Sequence, residues 1–160
     1  LSMALEDERK SEAMYMAVMR VHGERKPFLN IANSERKHQN ALLNQFERLG
    51  VEAPASHEFS FDIPETFEGA CQMAIDAELA NADLYDTIES KVSDPLILGT
   101  FAKLRSATEN CHLPAFERAM GGDTESGCGG KSCGDGKGKG KGKGNGCGGQ
   151  GGGCGGGGGC

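Results

Sequence analysis

The fifteen residues GVEAPASHEFSFDIP, from Gly50 to Pro64, decide how the rest of the chain is read. They carry Pro54 and Pro64 and little helical periodicity, whereas the sequence on either side is helical in pattern. Extended at about 3.3 Å per residue, such a segment reaches roughly 50 Å. A 20-residue helix is only about 30 Å long. The segment can therefore cross a whole helical bundle from end to end, which opens a connectivity that short loops forbid. The alternative is a loose loop inside a simple up-and-down bundle.

Working outward, residues 1–120 hold only four glycines and are rich in Ala, Leu, Glu, Met, Lys and Arg, the residues of highest helix propensity. A first helix is expected from Leu1 to His22, closed by Gly23, and a second from near Pro27 to Gly50. A third should start near Pro64 or Thr66 and stop around Ser93-Asp94-Pro95. The fourth should continue to about Met120, bent in its last turns by Pro114. Helices one and two, and three and four, are joined by only a few residues, so each pair should form an antiparallel hairpin. The expected fold is all-α: two such hairpins joined by the long crossover, in one domain over residues 1–120.

Residues 121–160 differ in kind. They hold 22 of the 26 glycines and no Val, Ile, Leu, Met or aromatic residue, so they cannot bury a core. Their five cysteines (Cys128, Cys133, Cys147, Cys154 and Cys160) follow no close zinc or iron–sulfur spacing, and residues 137–144 simply repeat Lys-Gly. A flexible tail is expected, with soft-metal scavenging or tail-mediated assembly as the alternatives.

The net charge is −6, and residues 1–120 alone carry −8. An acidic domain argues against nucleic-acid binding, which needs clustered Lys and Arg. The longest apolar runs, such as Pro95-Leu96-Ile97-Leu98, fall far short of the roughly 20 residues that span a bilayer. No signal peptide is visible, and the cytoplasm is favoured. The Cys-rich tail and the start at Leu1 without an initiator Met keep secretion or the cell surface open.

The faces expected to be buried contain acids and histidines at regular places. In the second helix Ile31, Glu35, His38, Leu42 and Leu49 share a stripe; in the fourth, Leu98, Phe101, Arg105, Glu109, His112 and Phe116 do. Each stripe contains Glu-x-x-His, which sets a carboxylate and an imidazole one turn apart. In the first and third helices a Glu lies seven residues before a Tyr, as Glu8…Tyr15 and Glu78…Tyr85. The two halves of the domain thus repeat one pattern. Counting from the helix ends sets Glu8 about one turn off from Glu35 and His38, so Glu12 is the alternative to Glu8.

Unpaired carboxylates inside a bundle would cost several kcal/mol each, or would stay protonated. Two divalent or trivalent cations remove the difficulty. Four Glu and two His form an oxygen-rich set with some imidazole, which suits iron or manganese and lacks the thiolates of structural zinc.

Residues 3–120 resemble the ferritin-like superfamily, nearest to its rubrerythrin and bacterioferritin type of di-iron domain. The resemblance is carried by Ala4-Leu5-Glu6-Asp7-Glu8 running into Tyr15, by Ser34-Glu35-Arg36-Lys37-His38, by Ala77-Glu78-Leu79-Ala80-Asn81-Ala82-Asp83-Leu84-Tyr85, and by Glu109-Asn110-Cys111-His112. It implies Glu8 and Glu78 as single-Glu ligands, Glu35 and Glu109 as bridging or chelating carboxylates, and His38 and His112 as one imidazole for each of two irons. Tyr15 and Tyr85 would be hydrogen-bonding or radical-forming neighbours of the metals; the plainer reading makes them core aromatics with satisfied hydroxyls. Rubrerythrins carry a further Glu where this chain has Asn81, and a Cys-ligated iron module for which the tail lacks paired C-x-x-C motifs. A peroxidase fed by an internal electron donor is therefore not expected.

The function expected is iron oxidation, or reaction with O₂ or peroxide, by a di-metal oxidoreductase, in a homo-oligomer. The competing reading is a non-catalytic metal-binding or assembly protein acting through the tail. Among the remaining residues, His22 is expected to cap its helix, His57 to be exposed, Cys71 to be a buried inert thiol, and Arg105 to form a surface ion pair.

Overall fold

The computed structural model describes residues 1–122, all of whose regular structure is helical. The Gly/Cys-rich segment from residue 123 onward, with the flexible, scavenging and assembly readings of it, lies outside the described residues. The helices are α1 (Ser2–His22), α2 (Phe28–Leu49), α3 (Phe67–Glu89), α4 (Pro95–Ala107) and α5 (Leu113–Met120). A π-helical turn, Thr108–His112, joins α4 to α5 without a break in the helical run. Among the described residues no helix is long and apolar enough to cross a membrane.

Local chemistry sets the boundaries. Gly50 adopts φ +65°, which costs a glycine nothing, and there α2 closes. The Gly50 N–H bonds the Glu47 carbonyl at 3.0 Å and the Val51 N–H bonds that of Phe46 at 3.1 Å, the paired closure that satisfies the last carbonyls of a helix. Thr66 caps α3 by accepting from the Gly69 N–H at 3.1 Å. Asp94 caps α4 by accepting from Leu96 and Ile97 at 2.8 and 3.2 Å, with Pro95 in the first turn, where its missing N–H is not needed.

The core has two parts. One is built from Met14, Tyr15, Val18 and Met19 of α1, Phe28, Ile31 and Ala32 of α2, Ala70, Cys71 and Ala74 of α3, and Phe116 and Ala119 of α5. The other takes Ala4 and Leu5 of α1, Leu42 and Phe46 of α2, Tyr85 and Ile88 of α3, and Ile97, Phe101 and Leu104 of α4. The first cluster joins the late part of α1 to the early parts of α2 and α3 and to α5. Hence α1 and α2 run in opposite senses, α2 and α3 in the same sense, and α4–α5 returns in the sense of α1, packed against α3.

Two helices that follow each other in sequence and run the same way need a connection as long as the bundle. The segment after Gly50 supplies it. Ala53 packs on one cluster, whereas Phe61 and Ile63 pack on the other. The segment is tied to α1 along its length: Arg9 Nη1 donates to the Pro54 carbonyl at 2.8 Å, exposed His57 pairs with Glu6 at 3.0 Å, and His22 Nε2 donates to the Pro64 carbonyl at 2.8 Å. His22 therefore anchors the end of the crossover rather than capping its own helix.

Because Leu42 is fully buried, Leu42→Ala should lower unfolding free energy by about 2–5 kcal/mol. Leu79 on α3 is 51% exposed, so Leu79→Ala should stay within about 0.5 kcal/mol of the parent. Urea denaturation of the full chain checks both.

Candidate metal centre

Between the two apolar clusters α1, α2, α3 and the π turn place polar side chains inward. On α1 the residue is Glu8, on α2 Glu35 and His38, on α3 Glu78 and Asn81, and on the π turn Thr108 and His112. Glu8, Glu35, Glu78 and His112 are each at most 3% exposed. Their ligand atoms form two groups: Glu8, Glu35 and His38 in one, and Glu35, Glu78 and His112 in the other, each drawn together within 4.8 Å. Glu35 belongs to both.

The oxygens of Glu35 divide between the groups. Oε2 lies 2.9 Å from His38 Nδ1, and Oε1 lies 3.0 Å from His112 Nδ1. His38 Nδ1 also lies 3.0 Å from Glu8 Oε2, while its Nε2 meets Ser34 Oγ at 3.3 Å, so the ring is held from both sides. The two imidazoles stack, with centroids 5.5 Å apart and planes inclined by 21°.

Tyr15 and Tyr85 serve the cluster reciprocally. The Tyr15 hydroxyl on α1 donates to Glu78 Oε1 on α3 at 2.6 Å, and that of Tyr85 on α3 donates to Glu8 Oε1 on α1 at 2.6 Å. Both rings are fully buried, Tyr15 against Phe28 and Phe116 and Tyr85 against Phe101. Each is thus a core aromatic with a satisfied hydroxyl, and the acceptor in each case is a carboxylate of the cluster.

The charges are tightly coupled. Burial lowers the basicity of His38, but the Glu35 and Glu8 carboxylates outweigh it and hold its pKa up at about 9. For His112, burial is likewise outweighed by Glu35 and Glu78, and its pKa rises to about 10. Burial and then the charge of Glu35 push Glu8 up to about 7. Glu35 goes the other way: burial would raise it, but the two imidazoles bring it below the usual carboxylate range. Burial and the adjacent acids raise both tyrosines well above the ordinary phenol value.

His112 is the exception to this satisfaction. Its Nδ1 is near Glu35 Oε1 and also 3.3 Å from Glu78 Oε1, close enough for strong attraction. Neither oxygen is aligned for a hydrogen bond, and it is the one buried side-chain polar atom without a hydrogen-bond partner among the described residues. A buried nitrogen directed between two carboxylates without an aligned hydrogen bond is an exception to the usual pairing of buried polar groups.

Glu109 does not join the cluster. Its side chain is 43% exposed and accepts from Arg105 Nε at 2.8 Å, while Arg105 also contacts Asp86 and Glu89. The π turn is the cause. In an α-helix, Glu109 and His112 would share a face; the wider turn, in which the Leu113 N–H bonds the Thr108 carbonyl, rotates them apart. Pro114 accounts for the turn, since it lacks an N–H and its ring would collide with the Asn110 carbonyl in regular α geometry. The inner face of α4 and the start of the π turn is therefore Ile97, Phe101, Leu104 and Thr108, where Leu98, Phe101, Arg105 and Glu109 are expected.

On α1 the residue that lies among the cluster is Glu8. Glu12 lies apart, bonded by Arg36 Nη2 and Gln39 Nε2, both at 2.6 Å. Cys71 is a buried free thiol, raised to about 11 chiefly by burial. Sequence reasoning missed Asn81 and Thr108 as buried polar partners; their signal was polar residues at core spacing, with Thr108 four before His112. Comparison with known proteins gives no match to a protein-family model, a curated protein or a solved structure.

Raised histidine pKa values mean that the folded, metal-free chain holds these protons more tightly than the unfolded chain does. The stabilisation is complete below the unfolded value of about 6.5 and is lost as pH rises through the folded values. Urea denaturation with a chelator present should show stability falling as pH climbs from 6.5 to 9, and His112→Gln should flatten that slope.

Proposed function

We propose that this chain is a ferritin-like di-metal protein of the rubrerythrin and bacterioferritin type. It holds two iron ions, with manganese as the other candidate, and it oxidises Fe(II) with O₂ or peroxide. One observation carries the reading: two buried Glu/Glu/His groups share Glu35 at the middle of the bundle, with the unbonded His112 nitrogen among them. The connectivity supports it, because two helix pairs joined by one long crossover is the ferritin-like arrangement. The donor set fits as well. Three carboxylates and two imidazoles with no thiolate favour iron or manganese over structural zinc.

In this reading Glu35 would be shared by two metal positions, one completed by Glu8 and His38 and the other by Glu78 and His112. Iron held there would supply the electrons for reduction of O₂ or peroxide, itself passing from Fe(II) to Fe(III). The chain binds, orients and shields. Tyr85 and Tyr15 each fix a carboxylate by donating to one oxygen. The apolar clusters on either side restrict water. Both imidazoles carry protons before metal binds and give them up on ligation, so affinity should increase with pH.

Anaerobic Fe(II) titration followed by O₂ tests the proposal. About two irons per chain with prompt oxidation is expected. Glu35→Ala should lose most of the bound iron, whereas Glu109→Gln should retain it. Absence of iron binding overturns the proposal. Bound iron that does not react with O₂ leaves a metal-binding protein without the oxidase activity.

A further inference from the structure

Beside the Glu/His cluster lies a second set of polar groups, two of them buried, that the proposed chemistry does not use. Thr108 Oγ1 donates to Asn81 Oδ1 at 2.9 Å, and Asn81 Nδ2 donates to Asp7 Oδ2 at 2.6 Å. Thr108 and Asn81 are 3% and 4% exposed. Each member is next to a cluster residue along its own helix. Asp7 precedes Glu8, Asn81 lies one turn after Glu78, and Thr108 opens the π turn that His112 closes.

The chain has one polarity. The Asp7 carboxylate only accepts, so Asn81 must turn its amide N–H₂ toward it, which leaves Oδ1 for the Thr108 hydroxyl. A helical Thr ordinarily bonds back to the carbonyl four residues before it. Here the hydroxyl reaches across to α3 instead, while the Thr108 carbonyl takes the wide bond from the Leu113 N–H. Both polar groups of a single residue thus hold the turn.

We propose that Asp7, Asn81 and Thr108 form a positioning brace that fixes the π turn in the register bringing the His112 imidazole to Glu35 and Glu78. The inference rests on the di-metal reading of the site. These residues act through His112, and the brace governs the Glu35/Glu78/His112 position while leaving the Glu8/Glu35/His38 position nearly unaffected. Thr108→Val keeps the shape but strands Asn81 Oδ1 without a donor. Asn81→Asp removes the N–H₂ and sets two carboxylates face to face. Thr108→Ser retains the donor.

The test is Co(II) titration of the full chain, followed by absorption, together with hydrogen exchange of the Leu113 amide in the metal-free protein. Thr108→Val and Asn81→Asp should weaken one of two Co(II) positions by about 10–100-fold, the usual effect of losing a group that orients a ligand. They should also speed Leu113 exchange, and Thr108→Ser should restore both readouts. Thr108→Val combined with His112→Gln should lose no more than His112→Gln alone, because the two act through one position. Parental Co(II) affinity and exchange in Thr108→Val, or equal weakening of both positions, would overturn the brace. If the parent takes up no Co(II), the metal reading fails and Leu113 exchange alone decides: faster in Thr108→Val and normal in Thr108→Ser supports the brace, and no change overturns it.

Discussion

Three carboxylates and two imidazoles buried between two apolar clusters form the constraint on which the structure turns. Such groups cannot remain there as isolated charges; protons or cations must balance them. In the metal-free chain the balance comes from raised histidines, a raised Glu8 and two tyrosine hydroxyls. The helices present these groups at one level because each changes from one apolar cluster to the other across that level. The bundle has the form of two hydrophobic plugs with a charged layer between them.

The layer is close to symmetric across α1 and α3, where Glu8 with Tyr85 mirrors Glu78 with Tyr15. It is not symmetric across α2 and the fourth helical run. Glu35 turns inward and serves both histidines, while Glu109 turns outward to Arg105. The difference has a local origin in Pro114 and the widened turn before it. Asn81 and Thr108 occupy part of the space on that side with a neutral hydrogen-bonded pair, so no fourth carboxylate needs compensation there.

Much of this was legible in the sequence because the signals were periodic. Glycines, prolines and caps marked the helix ends, and the length of the segment after Gly50 set the crossover. The Glu-to-Tyr spacing of seven pointed to two acids that the structure buries, Glu8 and Glu78, since both helices are regular over two turns. Glu109 lies on the outside for the corresponding reason. Counting back from His112 at the α period lands on it, but the turn is not of that period. Pro114 was read as a bend, although its larger effect was on register. The direction of His22, toward Pro64, was invisible because it depends on where a distant segment returns.

The widened turn stores one residue more than an α-helix of the same length needs, and the buried positions on either side record it. Leu104 and Thr108 are in phase with α4, and His112, Phe116 and Ala119 with α5. In a buried helix, removing one residue swings everything beyond it by about 100° and turns the core face outward. Here the surplus sits where a deletion, made together with replacement of Pro114, would convert the wide turn to a normal one, with both flanks keeping their faces. The run from Thr108 to Cys111 is thus a place where chain length in this family of shapes can change by one without the bundle coming apart.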